Sequence, residues 1–185
     1  YCSIGLAVGA LAMCSDVRSV RMFEISNAAN LDHPSEILHG LFGFGTPDAA
    51  DAAVLQPGWS AAVWAPTVAL VAEAIGLELD EIVEEHELLY LDESFDIAER
   101  HIAAGTVAGI KFEILGMVDG ERRVTIEHYT KLRDEDFPEH PFPGSGGYRV
   151  LIDGEPCLKI DLQLSSHLGD HLHAAYVATA MPAVN

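Results

Sequence analysis

Positive charge is scarce in this sequence. Lysine and arginine total 10 against 29 aspartates and glutamates in 185 residues, a formal net charge of −19 at pH 7 with histidine neutral. Such a surface repels nucleic-acid phosphates and anionic lipid, which excludes both as main partners. Cysteine is scarce too: Cys2, Cys14 and Cys157 form no C-x-x-C pair, and their number is odd. That excludes a disulfide scaffold and a cysteine zinc site, and fits reduced, buried thiols in a cytoplasmic protein. Long apolar runs are missing. The stretch "IGLAVGALAMC" is too short to span a bilayer and lacks the basic segment and A-x-A site of a signal sequence, so it reads as a buried helix.

Several chemical signatures are absent as well. "GLFGFGTP" contains no G-x-G-x-x-G, no G-x-x-x-x-G-K-[ST] occurs, and so nothing here cradles a nucleotide phosphate. No G-x-S-x-G marks a nucleophile elbow. "HLGDHLH" places His167 and His171 four apart with Asp170 and His173 nearby, the spacing of a zinc site, but Gly169 interrupts the helix and no H-E-x-x-H appears. No metal is expected; polar residues at a helix start explain the cluster.

What is present is a globular composition, 49% hydrophobic and 21% charged, in a length that suits one domain. The pattern predicts a helix over 4–13, packed closely through its small residues, and a strand over 19–26. A helix follows Pro34, and Thr46-Pro47 starts another. A long buried helix begins near Trp59, with Pro66 kinking it or marking its true start and Gly76 stopping it. Extended chain follows Leu77, with Glu84, Glu85 and Glu87 on a solvated face. Alternation at 110–114 and 124–128 around Asp119-Gly120 predicts a hairpin, and Asp153-Gly154 predicts the turn of a second. A helix closes the chain over 167–185. This order describes an α+β domain: a mixed, largely antiparallel sheet with helices on one face.

Side-chain alternation puts Thr125, Glu127 and Tyr129 on one face of their strand and Val124, Ile126 and His128 on the other. A polar face of this kind either lines a cavity, where Glu127 and Tyr129 can hydrogen-bond a ligand amine or carbonyl, or meets solvent or a second subunit. Trp59 and Trp64 are five apart and do not share a helix face well; one is core and the other a pocket wall or interface.

The ordered set "LAMCSDVRSVRMFEISN", "LFGFGTP", "IAAGTVAGIKFEILGMVDG", "VTIEHYTKL", "YRVLIDGEP" and "GDHLHAAYVATAMPAVN" resembles the C-terminal region of dihydrodipicolinate-reductase-like oxidoreductases. The nearest branch is that of 2,4-diaminopentanoate dehydrogenase and the native amine dehydrogenases. The resemblance implies a substrate-binding and dimerisation domain spanning 1–185. An N-terminal Rossmann domain for NAD(P)H would lie before Tyr1, and the last helix would continue past Asn185 to pack on it. The implied reaction is hydride transfer at a C=N or CH–NH2 centre of a small amine or carbonyl substrate, in a homodimer. By the same resemblance Asn27, Asn30, Glu127 and Tyr129 bind substrate, Thr179 and Asn185 approach the nicotinamide, and the catalytic residue lies before Tyr1; Trp64 joins the substrate-binding candidates as the aromatic that can form a pocket wall. The His-His and Lys motif of authentic dihydrodipicolinate reductases is missing, which argues against lysine-pathway activity. A non-catalytic binding or assembly domain is the alternative.

Overall fold

Alternating apolar residues build most of this molecule, and their phase decides which side of the sheet is covered. The structure, a computed structural model, describes residues 2–29, 36–97, 100–136, 146–169 and 171–181. Its main sheet has β1 (Ser15–Asn27), β2 (Glu81–Tyr90), β5 (Val107–Val118), β6 (Glu121–Lys131), β7 (Gly146–Glu155) and β8 (Leu158–Leu162), with β3 (Phe95–Ile97) and β4 (Arg100–Ile102) as a separate ribbon. The order is β2-β5-β6-β1-β7-β8, and every neighbouring pair is antiparallel except β1 with β6. This is the mixed, largely antiparallel α+β arrangement that the sequence predicts.

Helices α1 (Cys2–Leu11) and α2 (Trp59–Ala74) lie side by side on one face, over Val20, Met22, Ile114, Val124, Ile126 and Val150. α3 (His171–Ala180) starts on the same side, its His171 ring 6.2 Å from Tyr148. α1 buries Ser3, Ala7 and Ala10, spaced at helical period. Its glycines are not what brings it close: a Cβ at Gly5 or Gly9 would meet nothing within 4 Å. No helix among the described residues is long and apolar enough to cross a membrane.

Local chemistry explains the ends of the elements. Asp119 and Gly120 both have positive φ, 53° and 75°, which closes the β5–β6 hairpin with a primed turn. α2 ends in a Schellman motif: Leu77 N–H donates to Ala72 O at 2.9 Å and Gly76 N–H to Glu73 O at 3.0 Å. At its other end Gly58 offers no side-chain cap, and Glu84 of β2 supplies one by accepting from the N–H groups of Gly58 (3.1 Å) and Ser60 (3.2 Å). Glu84 therefore belongs to the covered face and not to a solvated one. Pro66 lies inside α2 without ending it.

Three further expectations differ from the structure. Residues 46–52 form turns, and only Ala53–Leu55 is helical, as a short 3₁₀ turn; Thr46 Oγ1 accepts from Ala49 N–H at 3.0 Å, but the cap starts no helix. Asp153-Gly154 is not a turn, because β7 continues through it to pair with β1 as far as Ser15↔Glu155, and the reversal comes at Pro156-Cys157. Gly154 is needed there because a Cβ would lie 3.1 Å from Ser15 O. The thiols are not uniformly buried: Cys2 and Cys14 are half-buried and Cys157 is exposed, all three free. Pro34 and Pro182–Asn185 lie outside the described residues.

Candidate functional site

Strand register assembles a polar row on the covered face. Tyr148 of β7 pairs with Glu24 of β1, Glu24 with His128 of β6, and His128 with Phe112 of β5. Two helices complete the row. From α1, Ser3 donates to Glu24 Oε1 at 2.5 Å. From α2, Trp64 packs on Phe112, with ring centroids 4.6 Å apart, and edge-on to His128 at 5.4 Å. Phe112 and His128 stack at 4.7 Å and 7°. Beside them a cavity of about 530 Å³ opens between the helices, walled by Ile4 and Val8 of α1 and Val63, Trp64 and Leu70 of α2, with Glu24 on its sheet side. That size and lining suit a small, mostly apolar ligand held by a few polar groups.

The electrostatics of this row follow from burial. Glu24 and His128 side chains are only 17% and 16% exposed, with Glu24 Oε2 3.8 Å from His128 Nε2. Burial pushes the His128 imidazole below the ordinary histidine range, and the Glu24 carboxylate only partly opposes it. His128 is therefore neutral at physiological pH, with Nδ1 3.2 Å from Thr130 Oγ1. Burial, then the charge of Glu24, pushes the Tyr148 phenol above its ordinary range, so it stays protonated. Among the described residues no Lys or Arg pairs with Glu24.

The opposite face has different chemistry. Arg21 donates from Nε (3.0 Å) and Nη2 (2.5 Å) to Glu127 Oε1, while the Tyr129 hydroxyl donates to Glu127 Oε2 at 3.0 Å. Glu127 and Tyr129 are each 1% exposed, and Tyr129 packs with Phe23, Ile25, Leu89 and Leu151. Around them Lys111 pairs with Glu113, Arg122 with Glu85 and Glu113, Arg149 and Lys159 with Asp161, and Arg18 with Asp153. A second cavity of about 330 Å³ lies here, lined by Ser19, Arg21, Glu113, Arg122, Thr125 and Glu127.

The structure thus places Trp64 in the cleft but Glu127 and Tyr129 across the sheet from it. Asn27 ends β1, where its amide donates to Asp134 Oδ1 (2.8 Å) and its carbonyl oxygen accepts from Ala29 N–H (2.9 Å), so a loop occupies it. Thr179 is exposed on α3, and Asn30 and Asn185 lie outside the described residues. Sequence reasoning missed Ser3, Glu24, His128 and Tyr148 as a group. The available signal was phase: Glu24 follows Val20 and Met22, and His128 follows Val124 and Ile126, each a polar residue in an apolar series.

Cofactor and metal fit can be tested on the residues present. Among the described residues no glycine-rich turn leads a strand directly into a helix N-terminus, so they do not form a dinucleotide cradle. No group of three His, Cys, Asp or Glu side chains among them is arranged to hold a metal ion. His171 instead packs against Tyr148 and reaches Leu164 O at 3.4 Å, and Asp170 lies outside the described residues.

Comparison with known proteins gives the family. Residues 62–184 match the 2,4-diaminopentanoate dehydrogenase C-terminal domain. The chain is 32% identical over 166 residues to an amine dehydrogenase of Streptomyces virginiae, a match covering 88% of this chain and 46% of that protein. Its fold is similar to the solved amine dehydrogenase from Mycobacterium smegmatis, with a TM-score of 0.62 at 13% identity over 85% of this chain and 44% of that one. The chain therefore spans about half the length of these relatives. On the family match and the identity together, the chain belongs to the 2,4-diaminopentanoate dehydrogenase C-terminal domain family.

Proposed function

We propose that this chain is the substrate-binding and dimerisation domain of an NAD(P)H-dependent oxidoreductase that works at a C=N or CH–NH2 centre, by reductive amination or its reverse. The observation that carries this reading is the cleft between α1 and α2, apolar on its walls and ending on the Glu24–His128 row. Family membership supports this reaction class. The cofactor would be held by a Rossmann domain outside this chain. The chain's own contribution would be to bind and orient a small amine or carbonyl compound and to exclude water around it, which is a large part of what a protein adds to cofactor chemistry. Trp64 forms the aromatic wall of that site. Three free thiols fit a reducing cytoplasm.

Dimerisation would use the opposite face. Six of the 10 Lys and Arg residues pair there with five carboxylates. On a chain of charge −19, this nearly neutral face is where two copies meet with least repulsion.

The test is oxidation of NADH and NADPH by the full-length protein with small ketones plus ammonia. Turnover is expected, with a raised KM in Trp64→Ala; no rate with any small ketone or amino ketone would leave only a binding or assembly role. Sedimentation of the intact protein should show a dimer that Arg149→Glu dissociates, and an unaltered dimer would place the interface elsewhere.

A further inference from the structure

Among the described residues every buried hydroxyl but one is bonded. Ser3 donates to Glu24, Ser60 to Val54 O at 3.2 Å, Thr106 to Ala103 O at 2.6 Å and Tyr129 to Glu127 at 3.0 Å, while Thr130 lies 3.2 Å from His128 Nδ1. The exception is Thr125, 3% exposed, whose hydroxyl has no hydrogen-bond partner among the described residues. A buried hydroxyl left unpaired is costly, so its surroundings call for an explanation. Thr125 lines the cavity of about 330 Å³ on the open face. Strand phase and register build that cavity. Thr125 alternates with Val124 and Ile126, which face the helices, and it pairs with Arg21 of β1. Ser19 stands two residues before Arg21 and shares its face.

The unused groups here are donors. The Ser19 hydroxyl, like that of Thr125, has no partner among the described residues. Arg21 spends Nε and Nη2 on Glu127 and keeps Nη1; Arg122 spends Nη1 on Glu113 and Nη2 on Glu85 and keeps Nε. The acceptors, in contrast, are taken. Glu127 accepts from Arg21 and Tyr129, and Glu113 meets Lys111 at 3.0 Å as well as Arg122. The charges in and around the cavity also balance: Arg21, Lys111 and Arg122 stand against Glu85, Glu113 and Glu127. We propose that this cavity binds a small monocarboxylate, whose oxygens accept from the Thr125 and Ser19 hydroxyls and from the free edges of Arg21 and Arg122. Guanidinium edges favour a carboxylate over a neutral acceptor. With the fixed charges already balanced, a dianion such as hydrogen phosphate is disfavoured. The volume is at the small end for ligand sites and suits a chain of two to about four carbons. The site lies across the sheet from the cleft, and the reaction proposed above does not enter its argument.

The experiment is a thermal-unfolding titration of the intact protein with sodium propionate near neutral pH, with sodium chloride at matched ionic strength as reference. Propionate should raise Tm beyond chloride, and the rise should saturate. In Thr125→Val, which keeps the side-chain shape, the apparent affinity should fall by about ten- to a hundredfold, the range of one hydrogen bond to a charged group. In Trp64→Ala, across the sheet, it should be unchanged. No rise beyond chloride overturns the proposal, whether water or a side chain of a second copy fills the cavity. Equal affinity in Thr125→Val overturns it too, and so does loss of binding in Trp64→Ala, which would put the carboxylate in the cleft. Phosphate binding as tightly as propionate overturns the assignment to a monocarboxylate. If circular dichroism shows Thr125→Val unfolded, Arg122→Gln, at a half-exposed position, takes its place: a tenfold or greater loss of affinity is expected, and full retention overturns the site.

Discussion

Glu24 and Glu127 stand on adjacent strands, one register step apart, and face opposite sides of the sheet: Phe23 pairs with Glu127 and Glu24 with His128. On the open side, Glu127 meets a guanidinium and a phenol, and its neighbours form a lattice in which each cation has a carboxylate. On the helix-covered side, Glu24 meets a serine, a neutral imidazole and a cavity. Two carboxylates of one sheet, Glu24 at 17% and Glu127 at 1% exposure, thus have different chemistry. One has both oxygens bonded by Arg21 and Tyr129; the other takes the Ser3 hydroxyl on one oxygen and faces a cavity.

The largest test of that contrast is stability. Glu127→Ala removes the carboxylate that accepts from Arg21 and from the Tyr129 hydroxyl. With Arg21 half exposed, the loss should fall at the lower end of the range for broken buried pairs, about 3 kcal/mol, or about 6–12 °C in Tm for a chain of this size. Glu24→Gln keeps the shape and the Ser3 contact, and should cost under about 1 kcal/mol. Urea denaturation of both variants checks this; equal losses would erase the distinction between the faces. Next, Gly116→Ala should destabilise the covered face by about 1–3 kcal/mol through overpacking, because its Cβ would lie 2.7 Å from Val68 Cγ1 and 3.0 Å from Leu79 Cδ1. A neutral result would show that the helix layer yields easily.

The pH dependence is smaller and has a definite sign. The unfolded chain protonates His128 near the ordinary value of 6.5, while the folded chain resists. Between the depressed folded value and 6.5 the unfolded state binds more protons, so stability rises with pH there. It should be flat, for this group, above 6.5 and fall by up to about 1.4 kcal/mol per unit below it. His128→Phe should remove that component in denaturation curves recorded across the window; an unchanged slope would show that other groups set it. Tyr129→Phe should cost about 1 kcal/mol, with no change in KM for an amine. A raised KM would bring the open face into the substrate site after all.

Much of the fold was legible. The hairpin at Asp119-Gly120 was readable because only a few residues adopt consecutive positive φ, and α2 because its apolar run ends at Gly76. The second hairpin was misread because Asp153-Gly154 carries the same letters for another purpose: Gly154 admits β1, a contact 139 positions away in sequence with Ser15. Glu84 looked like one of several surface acids, and only the packing of α2 on β2 makes it a cap. Of the candidate site, Trp64 was reached from the sequence. Glu127 and Tyr129 were correctly put on one face, but which face the helices cover depends on long-range packing that alternation does not specify.

By itself the sequence determined the α+β class, the strand phases, the family resemblance and an acidic surface, since each depends on local pattern or composition. Tertiary structure decided what those phases meant. Register brought Tyr148, Glu24 and His128 into one row from three separate segments, and the helices closed a cavity over it. The physical reason is that a charge becomes a binding group only through its surroundings, and surroundings are made by residues far apart in the chain.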